Sequence, residues 1–220
     1  MRINQFVARS SNLSRRHADA AIAAGRVTVN GHPAILGDTI SDDDRVELDG
    51  QPLALVPVHT YLALHKPTGY VTSRRRQGSD PTIYELLPAS AQRLRPAGRL
   101  DRDSSGLVLL SDDGDFIHRY THPSFDKRKI YELTLSRSLE PADHKRLQTG
   151  VTLSDGPSRV TIERHRGPHV TVSLTEGRNR QLRRTFGALG YDVAALHRTH
   201  IGPYSIGKLK SGACHEVTSL

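Results

Sequence analysis

The chain is poor in cysteine. Cys214 is the only thiol among 220 residues, which excludes an internal disulfide and any zinc site built from several cysteines. Long apolar runs are lacking too. The greasiest stretch, Leu107-Val108-Leu109-Leu110, falls far short of the roughly 18 residues a membrane span needs. No Gly-x-Ser-x-Gly elbow, no Gly-x-x-x-x-Gly-Lys-Ser/Thr loop and no Gly-x-Gly-x-x-Gly turn occurs. Neither an esterase-type nucleophile nor a nucleotide cofactor is therefore indicated. His118 and His122 stand at i, i+4, but no Glu follows the first as zinc-protease chemistry requires. Internal repeats and low-complexity tracts are absent. Nothing argues for export, so the expected compartment is the cytoplasm, with no metal, no cofactor and no membrane partner.

What is present is a globular composition, 36% hydrophobic and 25% charged, with 18 Gly and 12 Pro. The formal net charge is +8, and 25 of the 31 cationic residues are Arg. Residues 1–50 carry a net −1, residues 51–130 a net +4 and residues 131–220 a net +5. Guanidinium forks match phosphate oxygens, so this balance points to nucleic acid. Residues 1–18 are basic and free of acids, as a transit peptide would be. The turn-punctuated pattern that follows continues the same unit and argues against removal.

Ile3, Phe6 and Val7 predict a short amphipathic helix. Ser14 caps a second, Arg15 to Ala24, closed by Gly25. Arg15 and Arg16 at its start oppose the helix dipole, which phosphate binding there would explain. Arg26 to Val29 and Arg45 to Leu48 read as strands, with turns at Asn30-Gly31 and Asp49-Gly50. Residues 51–60, with two prolines, read as a linker. This leading part resembles the S4 RNA-binding domain at Ser14-Arg15-Arg16, Gly25-Arg26-Val27-Thr28-Val29-Asn30-Gly31 and Asp44-Arg45-Val46. The resemblance implies that Arg15, Arg16 and Arg26 face RNA.

From Tyr61 the chain mixes strands and helices without a regular βαβ rhythm, which indicates an α+β fold. Strands are expected at 61–65, 106–111, 128–136, 160–163 and 169–174. Helices are expected at 116–122, 141–150 and 179–189. Two motifs are dense in chemistry. The first is a polar loop, Gly98-Arg99-Leu100-Asp101-Arg102-Asp103-Ser104-Ser105-Gly106, feeding the apolar strand. Asp101, Asp103, Ser105, Gly106 and Asp112 have calcium-loop spacing. No entering helix precedes them, and the apolar strand runs where the loop should wrap, so a calcium site is excluded. The second motif is Glu176-Gly177-Arg178-Asn179-Arg180-Gln181-Leu182-Arg183-Arg184. On a continuous helix Arg180, Arg183 and Arg184 share one edge, a phosphate rail or a carboxylate clamp.

Together with Lys66-Pro67-Thr68-Gly69, Lys129-Ile130-Tyr131, Gly190-Tyr191, Leu196-x-Arg198 and Ile201-Gly202, these motifs resemble the pseudouridine synthase catalytic domain. The match is to the branch that carries an S4 domain and modifies ribosomal RNA. The resemblance implies a large mixed or antiparallel sheet flanked by helices, with a central RNA-binding cleft in residues 61–220. Its implied activity is cofactor-free isomerisation of uridine to pseudouridine, with N1–C1′ broken and C5–C1′ formed. Asp101 is then the catalytic carboxylate and Arg183 its partner, Tyr131 abuts the flipped base, Ile201 is an apolar wall and Arg99 braces the backbone. Expected RNA contacts are Lys66, Asn179, Arg180, Gln181 and Arg184, together with the loop Arg74, Arg75 and Arg76. The sequence Asn179-Arg180-Gln181, where many relatives carry His before Gln, favours large-subunit RNA, with small-subunit RNA next. The substrate is expected free or in an assembly intermediate, and the enzyme as a monomer. A non-catalytic RNA-binding or assembly protein with this fold is the alternative.

Overall fold

The computed structural model describes residues 1–11, 13–41, 43–54 and 59–219, and the chain divides into two compact units, Met1–His59 and Thr60–Leu220. The first contains α1 (Ile3–Ser10), α2 (Arg15–Ala23), β1 (Val27–Val29), β2 (His32–Pro33), β3 (Val46–Leu48) and β4 (Gln51–Leu53). Ser14 Oγ caps α2 by accepting from the His17 amide, which satisfies one of the otherwise unpaired donors of the first turn. The stripe Ile3, Phe6 and Val7 packs on Ala18, Ala21 and Ile22, and both rest on Val27 and Val46. The strands form an antiparallel sheet in the order β2-β1-β3-β4. Both hairpin turns have positive φ at their two central residues, 52° and 83° at Asn30-Gly31 and 52° and 75° at Asp49-Gly50. That is the turn whose twist matches paired strands. Gln51–Leu53, expected in a linker, are instead the last strand of this sheet. The tight turn at Asp49-Gly50 folds them back on β3, so the unit extends past residue 50. Residues 55–58 of the expected linker lie outside the described residues.

The second unit contains β5 (Tyr61–Lys66), β6 (Arg95–Ala97), β7 (Ser105–Ser111), α3 (Gly114–Thr121), β8 (Lys129–Leu135), α4 (Pro141–Thr149) and β9 (Val151–Leu153). It continues through β10 (Gly156–Ser158), β11 (Thr161–Arg166), β12 (His169–Leu174), α5 (Gln181–Gly187), β13 (Val193–Ile201), β14 (Tyr204–Ser205) and β15 (Cys214–Glu216). Its main sheet runs β11-β12-β8-β13-β7-β5-β15, with β14 on β13 and β6 on β7. Every pairing in it is antiparallel except β13 with β7. One face carries Tyr131, Leu133, Leu135, Val108 and Leu110 beneath Leu147 of α4 and Leu182 and Phe186 of α5. The other packs Leu107 and Leu109 against Phe116 and Tyr120 of α3. Strand β7 is thus covered on both sides, which is why Leu107 to Leu110 reads as a run rather than an alternation. Each of these side chains is fully buried and contributes about 1.5–3 kcal/mol.

The parallel contact is close. Arg198 of β13 lies opposite Gly106 of β7, and Gly106 has φ +116°. A Cβ built there would fall on the backbone nitrogen and carbonyl of Arg198. One register step away, Ser105 Oγ and His197 Nδ1 share a hydrogen bond of 2.8 Å. Gly106→Ala should therefore destabilise the protein by roughly 3 kcal/mol or more, from strain plus overlap with rigid backbone. Gly187→Ala meets nothing within 4 Å and should be neutral or stabilising by up to ~1 kcal/mol. Urea unfolding of the two variants checks the contrast, and equal effects would refute the close-approach explanation.

Candidate active site

The loop that enters β7 is clamped from beneath. Thr72 Oγ1 donates to the Leu100 carbonyl at 2.9 Å and accepts from the Leu100 amide at 3.2 Å. The Gly69 amide donates to the Arg102 carbonyl at 2.7 Å, and Arg102 pairs with Asp80 at 2.9 Å. Lys66 is fully buried, and its Nζ donates to the carbonyls of Ser104, at 2.6 Å, and Pro67, at 3.0 Å. Burial drives the Lys66 ammonium down to about 8, against the opposing pull of Asp101 and Asp103. The loop is thereby held on both sides of Asp101, whose own carboxylate remains 36% exposed.

Facing this loop is the turn into α5. Arg180 has φ 45° and ψ 32°, a left-handed conformation that an arginine cannot propagate as a helix. The helix therefore begins at Gln181, not at the expected Asn179, and Arg180 stands ahead of it rather than on its edge. From there its guanidinium makes two bonds to the Asp103 carboxylate, 3.1 and 3.0 Å, and stands 3.8 Å from Asp101 Oδ2. Arg183, expected opposite Asp101, donates instead to the Asp103 carbonyl at 2.9 Å and pairs with its carboxylate at 3.2 Å. Burial pushes the Asp103 carboxyl up, but the Arg180 hydrogen bonds and both guanidinium charges outweigh it and hold it below the usual range.

These elements enclose a cavity of about 250 Å³. Leu100, Leu174, Leu182 and Leu196 supply apolar wall, Tyr131 an aromatic one, and among the described residues Asp101 is the one carboxylate beside six cationic side chains: Arg99, Lys129, Arg178, Arg180, Arg183 and Arg198. The dimensions, the apolar lining and the surplus of cations suit a planar polar group attached to a polyanion. The RNA pseudouridylate synthase family model matches residues 60–188 and the S4 domain model residues 1–46. The chain belongs to the RNA pseudouridylate synthase family. It is 36% identical to the ribosomal small subunit pseudouridine synthase A of Pasteurella multocida (strain Pm70), over 100% of this chain and 99% of that protein. It is 34% identical to the ribosomal large subunit pseudouridine synthase B of Yersinia pestis, over 94% of this chain and 69% of that protein. A pseudouridylate synthase crystal structure superposes with a TM-score of 0.71 at 33% identity, covering 99% of this chain and 96% of that one.

In this pseudouridine synthase the residues expected at the site separate into groups. Asp101, Tyr131, Arg99, Arg183, Asn179 and Arg180 share the cavity wall. Lys66 does not meet solvent: it alternates in phase with Leu62 and Leu64 and points into the fold. Gln181 touches the cavity but is buried, with its amide spent on Ser158 Oγ at 2.9 Å, on Glu176 and on the Arg178 amide at 3.1 Å. The polar atoms of both are bonded within the protein. Ile201 is not an apolar wall either; it is buried with Leu107, Phe116 and Tyr204 on the α3 side, and Leu196 takes that place. Arg184 makes a bidentate pair with Asp155, 2.9 and 2.7 Å. Arg74 stacks on Tyr84 at 4.6 Å and donates to the Arg93 and Leu94 carbonyls, Arg76 pairs with Glu85 at 2.8 Å, and Arg75 is exposed. In the first unit Arg15 and Arg16 are exposed on the first turn of α2, while Arg26 pairs bidentately with Asp49. The expectation missed Arg198, which lines the cavity; its phase with Leu196 on one strand was the available signal.

Lys66 gives a pH signature. Its folded value, about 8, lies below its ordinary 10.5. Above pH 8 and up to about 10.5 the unfolded chain holds a proton that the folded chain has released, so stability rises with pH across this window. The full effect is about 3 kcal/mol. Denaturant unfolding at pH 7.5 and pH 10 should show the wild type gaining on Lys66→Met. Parallel pH dependences for the two proteins would show that the ammonium is not buried.

Proposed function

We propose that the cavity receives a uridine flipped out of ribosomal RNA and isomerises it to pseudouridine with Asp101 as the catalytic carboxylate. The observation that carries this reading is the accessible Asp101 carboxylate on a clamped loop, at a cavity lined by Tyr131 and a surplus of cations. Breaking N1–C1′, turning the base and joining C5 to C1′ adds and removes nothing, so no cofactor is called for. A fixed carboxylate serves this chemistry by covalent attack or by taking a sugar proton. Unstacking the uridine costs a few kcal/mol, offset by phosphate contacts and counterion release. Arg99, Arg180 and Asn179 border the cavity and suit the nucleotides next to the target, with Arg183 holding the loop through Asp103. Arg184 and Arg74, Arg75 and Arg76 extend the cationic surface, and Arg15, Arg16 and Arg26 supply the S4 domain's share. Those already bonded to Asp103, Asp155, Glu85 or Asp49 exchange a carboxylate for a phosphate.

Two ribosomal targets have support. The sequence Asn179-Arg180-Gln181 favours large-subunit RNA. The full-length match to the Pasteurella multocida small-subunit enzyme, against 69% coverage of the Yersinia pestis large-subunit one, favours small-subunit RNA. The protein acts as a monomer, on free RNA or on an assembly intermediate.

Isomerisation exchanges the C5 hydrogen of the target uridine with solvent. Ribosomal RNA transcribed with [5-³H]uridine should release one tritium per molecule with the wild type and no added cofactor. Asp101→Asn should slow this at least about 100-fold, the low end of what a positioned acid–base group supplies, while RNA affinity and its salt dependence persist. Unchanged release by Asp101→Asn would remove that residue from the chemistry.

A further inference from the structure

Four polar atoms of cavity-lining residues are buried without a hydrogen-bond partner among the described residues: Nη2 of Arg198, Oγ of Ser104, and Nε of Arg178 and of Arg183. Arg178 and Arg183 are neutralised by carboxylates, Asp155 and Asp103, which leaves Arg198 and Ser104. A buried donor without an acceptor is costly, more so when charged. Such groups beside a binding cavity mark where an acceptor on a ligand belongs. Arg198 is 3% exposed, and its head is fixed rather than loose. Nε donates to the Leu107 carbonyl at 2.8 Å and Nη1 reaches the Arg99 carbonyl at 3.4 Å. Arg198 and Tyr131 are direct partners across β13 and β8, and the Arg198 Cζ stands 6.0 Å from the Tyr131 ring centroid. No carboxylate pairs with Arg198 among the described residues. Burial lowers the ammonium groups of Lys66 and Lys129, and the Arg198 charge lowers both further. A permanent, desolvated, incompletely neutralised cation therefore lines the cavity beside Tyr131.

We infer that Arg198 is a catalytic residue that stabilises the uracil anion released when the N1–C1′ bond breaks. The inference rests on the reading of this cavity as the site of uridine isomerisation. When that bond cleaves, its electron pair leaves with the base and spreads from N1 onto O2 and O4. The base turns, C5 bonds to C1′, C5 loses its proton and N1 gains one, so the sum is an isomer with no oxidant or co-reactant. The charge on the base oxygens is largest while the base is detached, and a fixed guanidinium favours that state over bound uridine. Arginine does not give up its proton, so the role is electrostatic and not that of the C5 base. Phosphate is the poorer occupant: Arg198 lies deep, beside Tyr131 and Leu196, whereas the exposed Arg99 and Arg180 offer phosphate a site at the rim.

The test is single-turnover conversion of two RNAs, one with uridine and one with 5-fluorouridine at the target position. Loss of the target nucleoside is followed by chromatography and mass spectrometry of nuclease digests. Fluorine stabilises the departing base anion and so lessens the need for Arg198. Arg198→Gln should be at least about 100-fold slower than wild type on the uridine RNA, the usual effect of removing one such donor. On the 5-fluorouridine RNA the deficit should shrink at least tenfold, with RNA affinity unchanged within about threefold. Arg198→Lys, which keeps the charge if the glutamine variant fails to fold, should show a smaller deficit with the same shrinkage. An equal deficit on both RNAs would overturn the inference and leave Arg198 as a brace for Leu107 and Arg99. No deficit on either RNA would also overturn it. A wild type inactive on the uridine RNA would instead overturn the reading of the cavity itself.

Discussion

The active-site geometry depends on one close approach between two backbones. Strands β7 and β13 form the only parallel pairing described in the main sheet, and they meet where Gly106 faces Arg198. With no side chain at Gly106, the backbone of β13 can lie against β7. The loop bearing Asp101 enters β7 immediately before this point, and Arg198 leaves β13 at it. The carboxylate and the buried guanidinium are thus referenced to the same pair of residues. The bilateral burial of Leu107 to Leu110 makes the reference rigid, because a shift of β7 would disturb cores on both faces.

Charge is organised around this frame with a clear division of labour. Asp103 gathers Arg180 and Arg183, and Asp155 gathers Arg178 and Arg184. Arg180 and Arg184 stand in the more open of these pairs, and exposed ion pairs are weak, whereas Arg178 and Arg183 are largely covered. Inside, the balance differs. Lys66 is buried and bonded to carbonyls, which makes it a clamp for the Asp101 loop. Arg198 is buried and only partly bonded, which makes it available to a ligand. Each has two carbonyl acceptors, but the ammonium has three N–H donors to satisfy and the guanidinium five, so the two cations take different roles.

Much of the second unit was legible in its residues. Tyr131, Leu133 and Leu135 fall on one face as their alternation predicts. The Gly-bounded Asp101 loop does feed a buried strand, and Asp101 and Tyr131 do share a cavity. The failures have physical causes. Lys66 was expected among the RNA contacts, in the turn after a strand ending at 65; the strand runs on through Lys66 and carries it inward in phase with Leu62 and Leu64. Gln181 is buried by Ser158 on a hairpin far away in sequence, which no local pattern reveals. Arg180 breaks the expected helix by a left-handed backbone that is stabilised by its tertiary bonds to Asp103. The register shift between Arg198 and His200 interrupts strand alternation, so counting residues could not place Ile201. In the first unit the Asn-Gly and Asp-Gly turns were readable, but the second of them makes a strand of what two prolines suggested was a linker.

The most direct test of the account is to map the product. Unmodified large- and small-subunit ribosomal RNA would be incubated with the protein alone, treated with carbodiimide and alkali, and read by reverse transcription. The account predicts one new stop at a single uridine of one RNA, absent when Asp101→Asn replaces the wild type. It is contradicted if no stop appears on either RNA or on an assembly intermediate that the protein binds tightly, or if the stop persists with the variant.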